Sequence, residues 1–305
     1  MSDESENMAE NMAENMADLD GKRRFLFEQL DVRGEIVHLN DTLVNINESH
    51  AYPAGVARQL SEFVTAAVLL SSTLKFRGSL TVQARSDAEI PLIMAECSSE
   101  RDVRAIARGA QLAVSESFAG LLGGGQLALT VTPEQGNRYQ GIVPLAEASL
   151  AASLDAYFSQ SEQLRSRFYL ASSGDRAAGM LLQQLPMQLE SDAQSREENW
   201  GRIVMLADTL GADELLAVPG PQLLHRLYHE ENLRLYDTEA VRFHCSCSQQ
   251  RTLAALATIG EKEIRSILEE QGLVTMDCEF CNQQYRFREN DLRDVLSPSS
   301  GKAMH

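Results

Sequence analysis

The sequence predicts an α+β chain: a large N-terminal domain of mixed sheet and helix, a helical linker, and a small C-terminal domain built around four cysteines. Three observations carry that prediction. Stretches with strand-like alternation cluster in the first two-thirds, and helices fall unevenly between them rather than one after each strand as a βαβ fold requires. A polar run, MQLESDAQSREEN from Met187, then breaks the pattern, and short amphipathic helices follow it. Finally, four of the five cysteines stand in one CxC, Cys245 and Cys247, and one CxxC, Cys278 and Cys281.

Taken in order, residues 1–20 form an acidic tail. ENMAENMAENMAD would stack Glu6, Glu10, Glu14 and Asp18 on one helix face, so like charges oppose a helix and favour disorder. The competing reading is a stripe of Met8, Met12 and Met16 that packs on a partner. Residues 21–190 make the core domain. RGEIVHL from Arg33 alternates like a strand, Asn40 or Asp41 can cap a short helix, and Pro53 opens a long one with Val56, Leu60, Phe63 and Val64 on one face. SLTVQAR from Ser79 and LIMAECS from Leu92 read as strands, and QLALTVT and RYQGIVPL as a hairpin joined through PEQGN. EASLAASLDAYF from Glu147 reads as a helix, followed by strands SRFYLAS and GMLLQQL.

Residues 191–244 are the linker. Trp200, Ile203, Leu206 and Leu210 recur at helical spacing, as do Leu223, Leu224, Leu227 and Tyr228, but helices this short have no core of their own and must lean on their neighbours. Residues 245–305 hold the cysteines, a helix over about 260–270, strands at LVTM and QYRF, and a short last helix.

Composition excludes several function classes. Forty-four acidic against 27 basic residues give a net charge of −17, which repels a nucleic acid over most of the surface. The first twenty residues lack Lys, Arg and an apolar core, so they are not a secretory signal, and a cytoplasmic location is expected. FVTAAVLLSSTL, from Phe63, falls short of the roughly 18 apolar residues a membrane crossing needs. No GxxxxGK[ST] is present; GLLGGGQ around Gly123 to Gly125 lacks the lysine and hydroxyl that hold phosphates and reads as a turn, so no ATP is expected.

Cys245, Cys247, Cys278 and Cys281 supply four thiolates in two close pairs, the donor set for one tetrahedral Zn²⁺ per chain. Such a shell leaves no open position, so the site is not hydrolytic, and no catalytic residue is assigned. His244 is read as a solvated neighbour, and Cys97, alternating with Ala95 and Ile93, as a buried inert thiol. Two readings of the centre stay open. It is a permanent structural module, or a redox switch in which cysteines two or three positions apart close on each other once the metal leaves. A module this small draws most of its folding energy from the metal, on the order of 10 kcal/mol or more.

With RLYHEENLRLYDTEAVRFHCSCS and MDCEFCNQQYRF, and with RGEIV, TLKFRG, RYQGIV, YFSQSEQL and AAGMLLQQLP, the chain resembles the redox-regulated heat-shock chaperones of about 33 kDa, which are bacterial cytosolic holdases. The resemblance runs from about Arg24 to the last helix and places the family's metal ligands on Cys245, Cys247, Cys278 and Cys281. It implies an inactive zinc-bound form and an oxidised form with Cys245 paired to Cys247 and Cys278 to Cys281. It implies further that zinc module and linker then open, that the protein dimerises, and that it holds unfolding client proteins without ATP during oxidative and heat stress. Two departures stand out: the acidic Met repeat before Leu19, and the single glycine Gly179 in AAGMLL where the family has two, expected to bear on one turn.

For that function, client capture needs apolar surface hidden at rest, and the linker offers Trp200, Ile203, Leu206, Leu223, Leu227 and Tyr228. The competing readings are a thiol-disulfide oxidoreductase using Cys278 and Cys281, which lacks the surrounding βαβ pattern, and a constitutive structural zinc ribbon. A ribbon that grips nucleic acid is disfavoured by seven basic against nine acidic residues from Cys245 onward.

Overall fold

The computed structural model describes residues 20–72, 77–146, 148–161 and 164–293. The expected tail and its methionine stripe lie outside them, apart from Asp20. The chain divides into two compact units between His244 and Cys245.

In the first unit β1 (Gly21–Phe27) and β2 (Val32–Leu39) form an antiparallel hairpin. The sequence reading missed β1 because Lys22, Arg23 and Arg24 break the alternation; Lys22 is nonetheless buried, its charge met by Glu35 at 3.4 Å. α1 (Asp41–Glu48) follows, with a different cap from the one expected. Neither Asn40 nor Asp41 caps it; the Asp20 carboxylate accepts the N–H groups of Asn40 (3.1 Å), Asp41 (2.8 Å) and Thr42 (3.1 Å). Three orphan donors are thus satisfied from twenty residues away.

α2 (Ala54–Ser71) begins after Pro53, as expected, but it is buried on far more than one face. Alanines at 66 and 67 keep it slim enough to pack against strands of both sheets. The strands β3 (Gly78–Arg85), β4 (Leu92–Ser98) and β5 (Asp102–Arg108), the short α3 (Phe118–Leu122), the hairpin β6 (Gln126–Pro133) and β7 (Tyr139–Pro144), α4 (Leu150–Ser161), β8 (Ser166–Ser172) and β9 (Ala177–Gln184) complete the core. Three short strands from later in the chain, β10 (Leu233–Leu235), β11 (Glu239–Ala240) and β12 (Arg242–Phe243), complete two six-stranded sheets: one runs β12-β5-β4-β3-β6-β7, the other β10-β1-β2-β9-β8 with β11 also on β1. Gly179 lies in the middle of β9, not in a turn, and a Cβ there would stand 2.6 Å from Thr65 of α2. The close approach of helix and sheet is what requires that glycine.

Beyond β9 the polar run is fastened by a buried carboxylate. Asp31 accepts the N–H groups of Gln188 (3.1 Å), Leu189 (3.0 Å) and Glu190 (3.4 Å) and pairs with Arg196. α5 (Ala193–Ala207) starts from an Asp192 cap that accepts the Ser195 N–H at 2.7 Å; α6 (Ala212–Ala217) and α7 (Gly220–Tyr228) follow. The three helices share a second core with the face of β1, β2 and β9 turned away from α2. The segment ends in β10 (Leu233–Leu235), β11 (Glu239–Ala240) and β12 (Arg242–Phe243).

The second unit comprises α8 (Gln249–Leu256), capped by Ser248, α9 (Glu261–Gln271), ended by Gly272 at φ 74°, the antiparallel pair β13 (Val274–Asp277) and β14 (Gln284–Phe287), and a closing 3₁₀ turn over Glu289–Leu292. Among the described residues its buried core is Leu256, Ile264, Val274, Phe287 and Leu292.

Candidate metal centre

Cys245 and Cys247 lie on the irregular stretch that leads into α8, and Cys278 and Cys281 on the turn that joins β13 to β14. That turn is tight. The Cys278 N–H donates to the Gln283 carbonyl at 2.9 Å, the Asn282 N–H donates to the Cys278 carbonyl at 2.8 Å, and Asn282 takes the left-handed φ of 54° that asparagine tolerates. The CxC stretch is held by Arg251, whose guanidinium donates to the Ser246 carbonyl at 2.8 Å.

The four sulfurs converge. Cys245 and Cys278 Sγ are 3.6 Å apart, Cys247 and Cys281 Sγ 3.5 Å apart, and all four lie within 4.8 Å of one another. None is in a disulfide, and all are half-buried. Four sulfurs at about 2.3 Å from one ion stand about 3.8 Å apart at the corners of a tetrahedron, so the residues present fit a metal ion. The Tyr285 hydroxyl donates to Cys247 Sγ at 3.1 Å. Partial burial works to raise the Cys247 thiol, but the bonds from Tyr285 and the neighbouring sulfurs outweigh it and hold the group below its ordinary range. Burial raises Cys245 and Cys281 instead. A metal bound by the four sulfurs would hold all of them as thiolates, whatever each favours without it.

The other expected positions fall as follows. Cys97 is fully buried on β4 and burial pushes its thiol up to about 12, which leaves it unreactive at neutral pH. His244 is exposed, and its backbone N–H donates to the Val103 carbonyl in the first unit. Trp200, Ile203, Leu223 and Tyr228 are buried, and Leu206 and Leu227 half-buried, in the second core with Phe25, Phe27, Ile36, Met180 and Leu182. Tyr228 donates its hydroxyl to the Ile203 carbonyl at 3.1 Å and meets Phe27 edge-on at 5.0 Å. The structure gathers these six linker residues on one sheet face, in the unit that does not hold the cysteines. Tyr285 was missed from sequence, although QYRF as a strand next to the CxxC was the available signal. The CxxC itself lies on a hairpin turn, without the helix N-terminus that activates a thiol in thioredoxin-like sites.

Comparison with known proteins agrees with this geometry. The family model described as Hsp33 protein matches residues 20–288. A 33 kDa chaperonin from Ectopseudomonas mendocina is 46% identical over 287 residues, 93% of this chain and 97% of the relative. One from Azotobacter vinelandii is 47% identical over 283 residues, covering 92% and 95%. The crystal structure of a 33 kDa chaperonin from Thermotoga maritima superposes with a TM-score of 0.79 at 22% identity, over 91% of this chain and 98% of that one, a likeness of fold.

Proposed function

The chain belongs to the Hsp33 protein family, and on that premise we propose that it is a redox-regulated, ATP-independent chaperone that keeps unfolding proteins from aggregating. Its relatives are named chaperonins, not enzymes. The observation that carries the reading is the convergence of four free cysteine sulfurs within 4.8 Å inside a unit whose described residues bury a core of five. Cys245, Cys247, Cys278 and Cys281 hold the metal, and the all-thiolate donor set favours Zn²⁺. Bound there, zinc supplies folding energy and keeps the sulfurs deprotonated, the form oxidants attack.

Oxidation removes two electrons for each disulfide formed, Cys245 with Cys247 and Cys278 with Cys281, and with them the metal's ligands. All four sulfurs are free and lie within 4.8 Å of one another, so pairing within each motif requires the cysteine stretches to close up to bonding distance, which loss of the ion permits. The second unit then unfolds, the linker follows, and Trp200, Ile203, Leu206, Leu223, Leu227 and Tyr228 leave the sheet face as client-binding surface. The opened protein dimerises. Their present burial supports this reading, because a hidden apolar stripe is what an inactive holdase must keep from solvent. The test measures zinc release and client aggregation before and after peroxide. Zinc release accompanied by suppression of aggregation is expected; equal suppression by the reduced zinc form would leave a constitutive chaperone.

A further inference from the structure

The end of the linker behaves differently from its helices: residues 232–244 run extended along the edges of both sheets. β10 adds antiparallel to β1, with Leu233 opposite Phe27 and Leu235 opposite Phe25; β11 adds to the start of the same strand, with Glu239 opposite Lys22. The chain then crosses to the other sheet, where β12 lies parallel to β5, Arg242 opposite Asp102 and Phe243 opposite Val103. Further backbone bonds extend the pairing. Tyr236, Val241, Arg242 and His244 donate to the carbonyls of Arg24, Asp20, Arg101 and Val103, and Glu28 donates to the Asn232 carbonyl.

Side chains add selectivity. Val241 is buried in the core around α2, and Phe243 packs against it. The Glu239 carboxylate meets Lys22 at 3.0 Å and Arg101 at 3.1 Å, and Arg23 Nε donates to Thr238 at 2.9 Å. Yet the ladders are three, two and two residues long, and pairings that short are not stable by themselves. A strap this short is the part of the sheets most readily displaced once the helices before it undock.

A sheet edge stripped of its neighbour exposes a row of backbone donors and acceptors, the template on which an extended chain adds. We propose that the β1 and β5 edges are a client-binding surface, which residues 232–244 occupy as a stand-in until the linker is released. The occupant is an extended segment of an unfolding polypeptide, apolar at alternate positions like Val241 and Phe243, with a carboxylate two residues earlier, where Glu239 stands. Main-chain pairing supplies affinity for many sequences, and the Val241 site and the Lys22 and Arg101 cations supply a preference. This inference rests on the redox-regulated chaperone reading and adds a second surface to the apolar stripe.

The test uses the full chain oxidised with peroxide and a synthetic peptide of residues 232–244 as the probe. Amide exchange is followed along β1, at Glu28 just beyond it, and along β5, while light scattering follows aggregation of a heat-unfolding client. Oxidation should speed exchange on both strands, saturating peptide should slow it again by about tenfold, and the same peptide should abolish most of the aggregation suppression. A peptide N-methylated at alternate residues keeps the side chains, loses backbone donors, and should do neither. Equal competition by the methylated peptide, or exchange on β1 and β5 unchanged by both peptide and bound client, overturns the edge assignment. An oxidised chain that suppresses no aggregation defeats the chaperone reading separately, and exchange with the peptide still decides whether the edges accept an extended chain.

Discussion

Replacing Tyr285 with phenylalanine removes one oxygen from the hairpin and with it the donor that favours the Cys247 thiolate. Groups that orient a metal ligand typically affect affinity by about 10–100-fold, so Tyr285→Phe should lower zinc affinity by about tenfold in a chelator competition. Unchanged affinity would reduce Tyr285 to a packing residue. A second prediction concerns Glu62 on α2, where burial pushes the carboxyl up to about 7 and Arg58 draws it back only in part. Because the folded value lies above the ordinary 4.5, the stability this group contributes is present at low pH and is lost as pH rises toward and through 7. Glu62→Gln should therefore stabilise the first unit by about 2 kcal/mol at pH 8 and far less at pH 5. An equal gain at both would show that Glu62 does not titrate there. At this scale the cysteines were legible because ligand type and spacing are written locally. Tyr285, Asp20 and Asp31 were not, because their partners are chosen by hairpin register or lie far along the chain.

The linker helices dock by burying Trp200, Ile203, Leu223 and Tyr228 in the core they share with a sheet, and the Asp192 cap and the Asp31–Arg196 pair add smaller increments at the start of α5. Removing the cap with Asp192→Ala should cost α5 about 1 kcal/mol and lower the temperature at which oxidised protein begins to suppress aggregation. No change in that temperature would mean that α5 does not limit opening. Trp200, the only tryptophan, reports on the same event: its fluorescence should shift to the red when peroxide and mild heat are applied together. Zinc release with an unshifted spectrum would separate the linker from the metal centre. Among elements, those with clean periodicity were legible: β2, β3, β4, the β6–β7 hairpin, α2 and the two linker stripes. β1 was obscured by Lys22, Arg23 and Arg24, and β10, β11 and β12 are two or three residues long, too short for any period to show. They exist because longer strands offer them an edge, a tertiary cause that local sequence does not record.

At the scale of the molecule, stability is distributed unevenly. Among the described residues the first unit has two extensive cores, one around α2 and one beneath the linker helices, whereas the second buries a cluster of five apolar residues. A unit of that size has little core to spare, and a bound metal is one way such small units gain folding energy. On the proposed reading the same four sulfurs would serve as metal donors and as the point of failure. The α+β class and the cysteine-bearing end were readable from composition and spacing, while the joining of residues 185–244 to the sheets was readable only as the need of short amphipathic helices for a neighbour. The most direct measurement is limited proteolysis, mapped by mass spectrometry, of the reduced chain before and after zinc is chelated. The account predicts that cleavage within residues 245–293 appears only after chelation and is reversed by restoring zinc. A metal-free chain, its thiols still reduced, that resists cleavage there as well as the zinc form would contradict it.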